Sequence, residues 1–402
     1  MTASLSVIFA LGIFLTVAGI SLNVALGRRK IAELGDIVIK GTGTESRPAS
    51  VSIIVSACNE EKTIEPALRS LLQINYPNLE IIAINDRSTD DTAKILDQLG
   101  LNFPALRVIH IDTLPGGWLG KNHALACGAD QARGEYIIFT DADAVFSPDA
   151  VSRAVTYCQT RQVDHLALLF DVIAPTRLLQ MLIISFVTGF MAKFQPWKVN
   201  RSARHFIGIG GFNMVRTTAY KLTGGHRAMP MAVLDDLTLG QMMKTFGHAQ
   251  HVLMGTGMIT IEWYPNTVGL CRGMEKNIFA AFNYNLTYLA SVTIIAAGVR
   301  IWPWIALFLV QGAAWWLYAA TIASSLALAA DLLRARRWPL SNLLMAPLIS
   351  ILELLIWWRG CLLTYYRGGI IWRDTFYSLQ EIRCAHRALQ RSFADKMVHG
   401  SK

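Results

Sequence analysis

Residues 1–27 contain no charged side chain, and that single feature divides the chain. A helix needs about 20 consecutive apolar residues to cross a bilayer, and Ser4–Gly27 supplies them. The basic cluster Arg28-Arg29-Lys30 follows the apolar run instead of preceding it. A cleaved secretory leader carries its basic residues first, so residues 1–30 are expected to persist as an anchor. Lys and Arg concentrate on the cytoplasmic side of membrane proteins. The cluster therefore predicts that the next segment lies in the cytoplasm.

Residues 28–276 are mixed in composition, whereas most of 277–358 is apolar again. Asn277–Val299 and Ile301–Ala330 are uncharged, separated by Arg300, and predict a transmembrane hairpin. Arg334-Ala-Arg-Arg337 then returns the chain to the cytoplasm. Pro347 and Glu353 interrupt Pro339–Trp358, which predicts either a crossing or a re-entrant or interfacial helix. Leu178–Ala192 is apolar over only 15 residues. That is short for a span and predicts an interfacial or core helix. The expected order is an anchor over 1–30, a soluble domain over 49–276, transmembrane or interfacial helices over 277–364 and a cytoplasmic tail over 365–402. Such a chain is a multi-pass protein of the cell (inner) membrane.

The formal charge of +9 sits largely beside the hydrophobic segments, and no Lys/Arg-rich run carries interleaved aromatics. Nucleic-acid binding is excluded on that ground. The six cysteines form no CxxC pair, which argues against a disulfide scaffold or zinc ribbon and for reduced thiols. His248 and His251 make an isolated HxxH without an acidic neighbour, which is expected to be a surface pair.

From Ala49 the pattern changes. Val51–Val55, Glu80–Asn85, Arg107–His110 and Tyr136–Thr140 are short Val/Ile-rich runs, the mark of buried parallel strands. Thr63–Gln73, Asp91–Leu99 and Asn122–Ala132 between them are helical in pattern. Alternation of this kind predicts a doubly wound α/β sheet, in which ligands bind at the carboxyl ends of strands. Those ends carry Asn59 and Glu60, Asp86 through Asp91, and Asp141 with Asp143.

Thr140-Asp141-Ala142-Asp143-Ala144 is the strongest motif. At a strand end the chain can turn both carboxylates to one side, where Mg²⁺ or Mn²⁺ takes one or two carboxylates plus phosphate oxygens. The competing reading is a cluster of helix caps ahead of Ser147-Pro148-Asp149. Pro115-Gly-Gly-Trp-Leu-Gly-Lys-Asn-His123 is a glycine-rich loop ending in a lysine at a helix start, suited to an anionic phosphate. Its spacing is not that of a Walker A loop. Gly208-Ile-Gly-Gly-Phe lacks the spacing of a dinucleotide fingerprint, and its glycines read equally as a plain turn. Asp235 and Asp236 either complement a helix dipole or do chemistry.

In this order the motifs resemble family 2 glycosyltransferases with a GT-A fold, over about Ala49–Asn285. The Gly-Trp-Leu-Gly-Lys loop is similar to membrane-bound members that glycosylate lipids, carotenoids and hopanoid-related acceptors. The resemblance implies a Rossmann-like domain in which Ala57, Glu60, Asp86 and Lys121 line the nucleotide site. It also implies that Asp141 contacts the nucleotide and that Asp143, with Asp141, holds the metal. Leu234-Asp-Asp-Leu237 falls where the family carries an acidic pair whose second member, here Asp236, is the catalytic base. Ser56, Cys58 and Asn85 depart from the family pattern beside the nucleotide site. The Gln-x-x-Arg-Trp motif of processive polysaccharide synthases is missing, and Arg272-Gly-Met-Glu-Lys-Asn277 stands in that neighbourhood.

The expected activity is inverting transfer from a nucleotide-sugar, a UDP-sugar by resemblance, to a hydroxyl of a membrane lipid. The alternative is a non-catalytic membrane scaffold that keeps the fold. Retention of Asp86, Lys121, Asp141, Asp143 and Asp236 together argues for the enzyme.

Overall fold

The computed structural model describes residues 2–39 and 48–399. The chain divides into two compact units, Ile31–Ile173 with Pro196–Trp263 and Gly368–Lys402, and Met1–Lys30 with Ala174–Gln195 and Tyr264–Arg367.

The first unit is built on one eight-stranded sheet. Its strands are β1 (Val51–Ala57), β2 (Leu79–Asp86), β3 (Leu106–Ile111), β4 (Tyr136–Asp141), β5 (Ala144–Phe146), β6 (His165–Val172), β7 (Asn213–Arg216) and β8 (Gln250–Ile261). Their order is β3-β2-β1-β4-β7-β6-β8-β5. The first four are parallel to one another, and β7 runs antiparallel to β4 and β6. Every residue of β1 except Ser56 is buried. Ile53 and Val55 pack with Leu68 and Leu71 on one face, and Ile54 packs with Ala124 and Leu125 on the other. A strand covered on both faces cannot alternate polar and apolar residues, and each buried Ile or Val contributes about 1.5–3 kcal/mol.

The stretch 365–402, expected as a cytoplasmic tail, carries secondary structure. Gly369–Trp372 (β9) and Thr375–Ser378 (β10) pair as an antiparallel hairpin, and Leu379–His399 is a helix. All belong to the sheet-bearing unit. Leu389 and Phe393 of the helix pack into the same core as Leu239 and Met243, so apolar burial holds the segment down. Residues 400–402 lie outside the described residues.

The second unit is a helical bundle. Among the described residues, four helical stretches are long and apolar enough to cross a membrane: Leu5–Arg28, Arg177–Arg201, Ala313–Ala335 and Leu340–Tyr366. The segment read as a 15-residue interfacial or core helix is longer, Arg177–Phe194. Thr176 extends it by accepting a hydrogen bond from the Leu179 N–H. The expected hairpin is broken twice. Thr267–Ala281 and Leu286–Arg300 meet at an angle of 108°, with Asn283 and Tyr284 at φ 53° and 56° between them. Trp302–Leu309 and Ala313–Ala335 are separated at Gly312, φ 69°.

Several charges inside this unit are paired. Arg28 and Arg29 reach Asp331 at 2.8 and 3.1 Å, which puts the two basic clusters at the same end of their helices. Arg300 pairs with Glu353 at 2.7 Å, and the Ser185 hydroxyl bonds to both. Ion pairs of this kind are what an apolar surrounding demands.

Candidate active site

Strand register brings the expected residues together. Ala57 lies opposite Asn85 on β2, and Ser56 lies opposite Asp141 on β4. Glu60, Asp86 and Asp141 therefore stand at the carboxyl ends of three adjacent strands. The Ala57 methyl itself is packed into the core, so only its main chain can face a ligand.

Lys121, in the first turn of the helix Gly120–Gln131, ties the second group of residues to the first. Its Nζ lies 2.9 Å from Asp141 Oδ1 and 3.2 Å from Asp235 Oδ2. Burial disfavours the ammonium, but the carboxylates of Asp141, Asp235 and Asp236 outweigh it and raise its pKa well above that of a free lysine. Lys121, Asp141 and Asp235 line a small pocket with Gly210, Asn213, His226 and Asp236.

Asp236 opens the helix Asp235–Thr245, as the helix-dipole reading expects, yet its side chain belongs to the cavity. Its Oδ2 accepts from the Gly210 N–H at 2.9 Å, and its Oδ1 accepts from its neighbour Leu237 at 2.7 Å. Burial and the adjacent Asp235 carboxylate push its pKa up to about 7, against the pull of Lys121. Behind it lies a buried chain. Gln250 donates to His165 Nδ1 at 2.6 Å, His165 Nε2 bonds Asn213 Oδ1, and Asn213 reaches the Asp236 carbonyl at 3.5 Å.

The glycine segment threads between the two acidic motifs. A side chain on Gly208 would place Cβ 1.7 Å from the Asp236 carbonyl oxygen, and one on Gly210 would place it 2.5 Å from Asp141 Oδ2. Only hydrogen fits at Gly208, and a side chain at Gly210 would displace the Asp141 carboxylate, so this turn is part of the pocket wall.

Asp141 and Asp143 do not cap a helix. The chain runs from them into β5, and Asp149 takes the cap position of Ala150–Arg161. Asp143 Oδ1 is buried and has no hydrogen-bond partner. Burial, then the carboxylates of Asp141 and Glu60, raise its pKa to about 7. A sealed carboxylate oxygen with nothing to accept from is what a cation ligand looks like without its cation. No group of three or more His, Cys, Asp or Glu is placed to hold a metal ion by itself among the described residues. A metal here would take its remaining ligands from a phosphate and water, as Mg²⁺ does.

Comparison with known proteins bears on the fold that carries this geometry. The profile of Glycosyl transferase family 2 matches residues 52–223. Those residues, somewhat under half of the chain, resemble a family 2 glycosyl transferase domain. Two 4,4'-diaponeurosporenoate glycosyltransferases of Staphylococcus aureus are similar to it. That of strain bovine RF122 / ET3-1 is 30% identical over 203 residues, 48% of this chain and 50% of the relative. That of strain USA300 is 27% identical over 242 residues, 57% and 60%. The chain thus spans about half to three fifths of the length of these curated relatives. A mannosyltransferase from Pyrobaculum calidifontis, solved with GDP-Man and Mn²⁺, shares the fold with a TM-score of 0.51 at 16% identity. The match covers 90% of this chain and 99% of that one. The mixed sheet is the GT-A fold that the motif order implied.

Three parts of this candidate site escape a reading of motifs. The β9–β10 hairpin meets the ends of β1 and β2 and the start of the helix Gly120–Gln131 at three points. Arg373 pairs with Glu60 and donates to the Asn59 carbonyl at 3.2 Å. Arg87, which holds Asp86 at 2.8 Å, also reaches Thr375 at 3.4 Å. The Tyr377 hydroxyl accepts from the Gly120 N–H at 3.0 Å. The second part is the His165–Asn213 chain, whose members are far apart in sequence. The third is His226, signalled only by the Gly224-Gly225 pair before it. Arg272 and Lys276 lie instead on Thr267–Ala281 of the helical unit. His248 and His251 do not converge: His248 faces Asp164 at 3.7 Å, and His251 bonds Tyr157 at 2.9 Å.

Proposed function

We propose that this chain is a membrane-bound inverting glycosyltransferase that moves a sugar from a nucleotide-sugar, a UDP-sugar by resemblance, to a hydroxyl of a lipid. One observation carries the reading: Lys121, Asp141, Asp235 and Asp236 share a single cavity, beside a buried Asp143 oxygen that lacks a partner. A non-catalytic scaffold gains nothing from burying so many carboxylates together, since each must be desolvated.

The acceptor oxygen attacks the anomeric carbon as the bond from that carbon to the diphosphate breaks. Asp236 takes the proton of the attacking hydroxyl. Its pKa of about 7 suits a base that works near neutral pH. Asp235 is less suited, because its carboxylate is engaged with Lys121. Asp141 and Asp143 would hold Mg²⁺ or Mn²⁺, which supplies positive charge to offset that growing on the departing diphosphate. Lys121 adds a fixed cation beside them. Glu60 and Asp86 sit where a base and ribose would lie at the ends of β1 and β2.

Four stretches able to cross a membrane, and relatives that act on a carotenoid acid, support a lipid acceptor. The test offers labelled UDP-glucose, UDP-galactose or UDP-N-acetylglucosamine to the detergent-purified protein with lipid extract or with soluble oligosaccharides. Label is expected in the organic phase with lipid alone. Transfer only to the oligosaccharides would end the lipid assignment. A second reading is favoured by the relatives' substrate, diaponeurosporenoate, which is a carboxylate. A carboxylate acceptor yields an ester that mild alkali cleaves, whereas a hydroxyl yields an alkali-stable glycoside.

The reading places the sheet-bearing unit in the cytoplasm, where nucleotide-sugars are made. Both basic clusters must then face inward. Single cysteines beside Arg28–Lys30 or Arg334–Arg337 are expected to resist an impermeant thiol reagent in intact cells. Ready labelling at either place would reverse the orientation.

A further inference from the structure

We propose that His226 is a neutral hydrogen-bond donor, locked in one tautomer by Tyr220, that grips a hydroxyl of the donor sugar through Nε2. The proposal rests on the glycosyltransferase reading above and adds a residue that grips the transferred sugar.

Gly224 and Gly225 sit at φ 84° and 52°, and a Cβ on Gly225 would fall 2.1 Å from the Tyr220 ring. This tight left-handed turn drives His226 inward, to 1% exposure. There the imidazole meets Phe139 edge to face, with centroids 4.7 Å apart.

The tautomer follows from hydrogen-bond bookkeeping around one hydroxyl. The Tyr220 oxygen accepts the His226 backbone N–H at 3.0 Å. The same oxygen lies 2.9 Å from His226 Nδ1. Tyr220 is buried, and a buried hydroxyl proton needs an acceptor. Nδ1 stands at bonding distance and takes it. A neutral imidazole that accepts at Nδ1 carries its proton on Nε2. Burial, then the Lys121 charge, hold the ring far below the usual histidine pKa, at about 3, so it stays neutral.

With Nδ1 engaged, the Nε2 edge is left for the cavity that His226 lines with Lys121, Asp141 and Asp236. A neutral donor is the right instrument there. The carboxylates around it accept hydrogen bonds, so they bind sugar hydroxyls through the hydroxyl protons. An N–H donor binds a hydroxyl through its lone pair. The two together fix the orientation of a hydroxyl, and one orientation selects one sugar epimer.

The test compares wild type with His226→Phe, His226→Gln and Tyr220→Phe, using whichever of UDP-glucose, UDP-galactose, UDP-N-acetylglucosamine and GDP-mannose wild type turns over fastest. KM and kcat are measured for that donor, and Kd for its nucleoside diphosphate alone. His226→Phe keeps the aromatic packing and is expected to lower kcat/KM about tenfold, the worth of one hydrogen bond of about 1.4 kcal/mol, while Kd stays within about twofold. His226→Gln places an N–H near Nε2 and is expected to recover part of the loss. Tyr220→Phe frees the tautomer and is expected to fall between wild type and His226→Phe. Unchanged kinetics in His226→Phe overturn the proposal. So does equal loss of nucleoside diphosphate binding, or a His226→Gln variant worse than His226→Phe, since either outcome marks a packing role. If wild type transfers none of the four sugars, the glycosyltransferase reading itself has failed, and melting temperatures of the variants separate that case from misfolding.

Discussion

Asp236→Asn is expected to lower turnover by about 10²-fold or more, the usual share of a general base, while nucleoside diphosphate binding survives. Asparagine keeps the shape of the carboxylate. Its amide oxygen can still accept from the Gly210 N–H, which lies 2.9 Å from Asp236 Oδ2. What it cannot do is take a proton. The pH dependence follows with a definite sign. Burial and Asp235 raise the Asp236 pKa to about 7, and the base works only when ionised. Wild-type kcat should therefore rise with pH through about 7 and level off above it, and the variant's residual rate should lose that step. The acceptor's own chemistry sharpens the test. A hydroxyl must lose a proton during attack, whereas a carboxylate has none to lose. A large Asp236→Asn effect with an alkali-stable product supports a hydroxyl acceptor. A dead Asp235→Asn beside an active Asp236→Asn would show that the base has been assigned to the wrong carboxylate.

The parts of this site that were legible in sequence share a physical cause. β1, β2 and β4 are buried on both faces over most of their length, so their Val and Ile runs stand out, and polar residues stand at or just beyond the end of each. The rest lacks such marks. β8 contains Gly255 and Gly257, which break its apolar pattern, and it gains its stability from pairing with β5 and β6. The β9–β10 turn is made by Arg373 and Asp374 at φ 48° and 61°, without the Asn-Gly or Gly pair that usually signals a hairpin. Its contacts with Glu60 and Gly120 join residues more than 250 positions apart. The break after Ala281 likewise uses left-handed Asn283 and Tyr284 instead of Gly or Pro. A chain held in these conformations by long-range contacts leaves little local trace. The acidic motifs were legible for the opposite reason: desolvating several carboxylates is costly, so their grouping at strand ends asks for a function.

Asp143→Ala is expected to abolish metal-dependent donor binding and turnover. The argument begins from a cost that the fold leaves uncompensated. Asp143 is held beside the carboxylates of Asp141 and Glu60, and its Oδ1 is sealed without a partner. Burial and that repulsion raise its pKa to about 7. A carboxylic acid whose folded pKa lies above its unfolded value near 3.9 binds more protons in the folded state between those two values. Without metal, stability should accordingly fall as pH rises from about 4 to about 7, and replacing Asp143 should remove that part of the loss. A divalent cation reverses the balance, since it favours the ionised form and competes with the proton. Mn²⁺ or Mg²⁺ added with nucleoside diphosphate should therefore raise the wild-type melting temperature, and more so at pH 8 than at pH 6. Asp143→Ala should match or exceed wild type in melting temperature without metal and gain nothing from its addition. Two measurements thus move in opposite directions in one variant: intrinsic stability holds or rises while activity disappears. A structural carboxylate would give the contrary pattern, with lower stability and a metal response still present, and that outcome, or full activity at saturating donor, would sink the metal assignment.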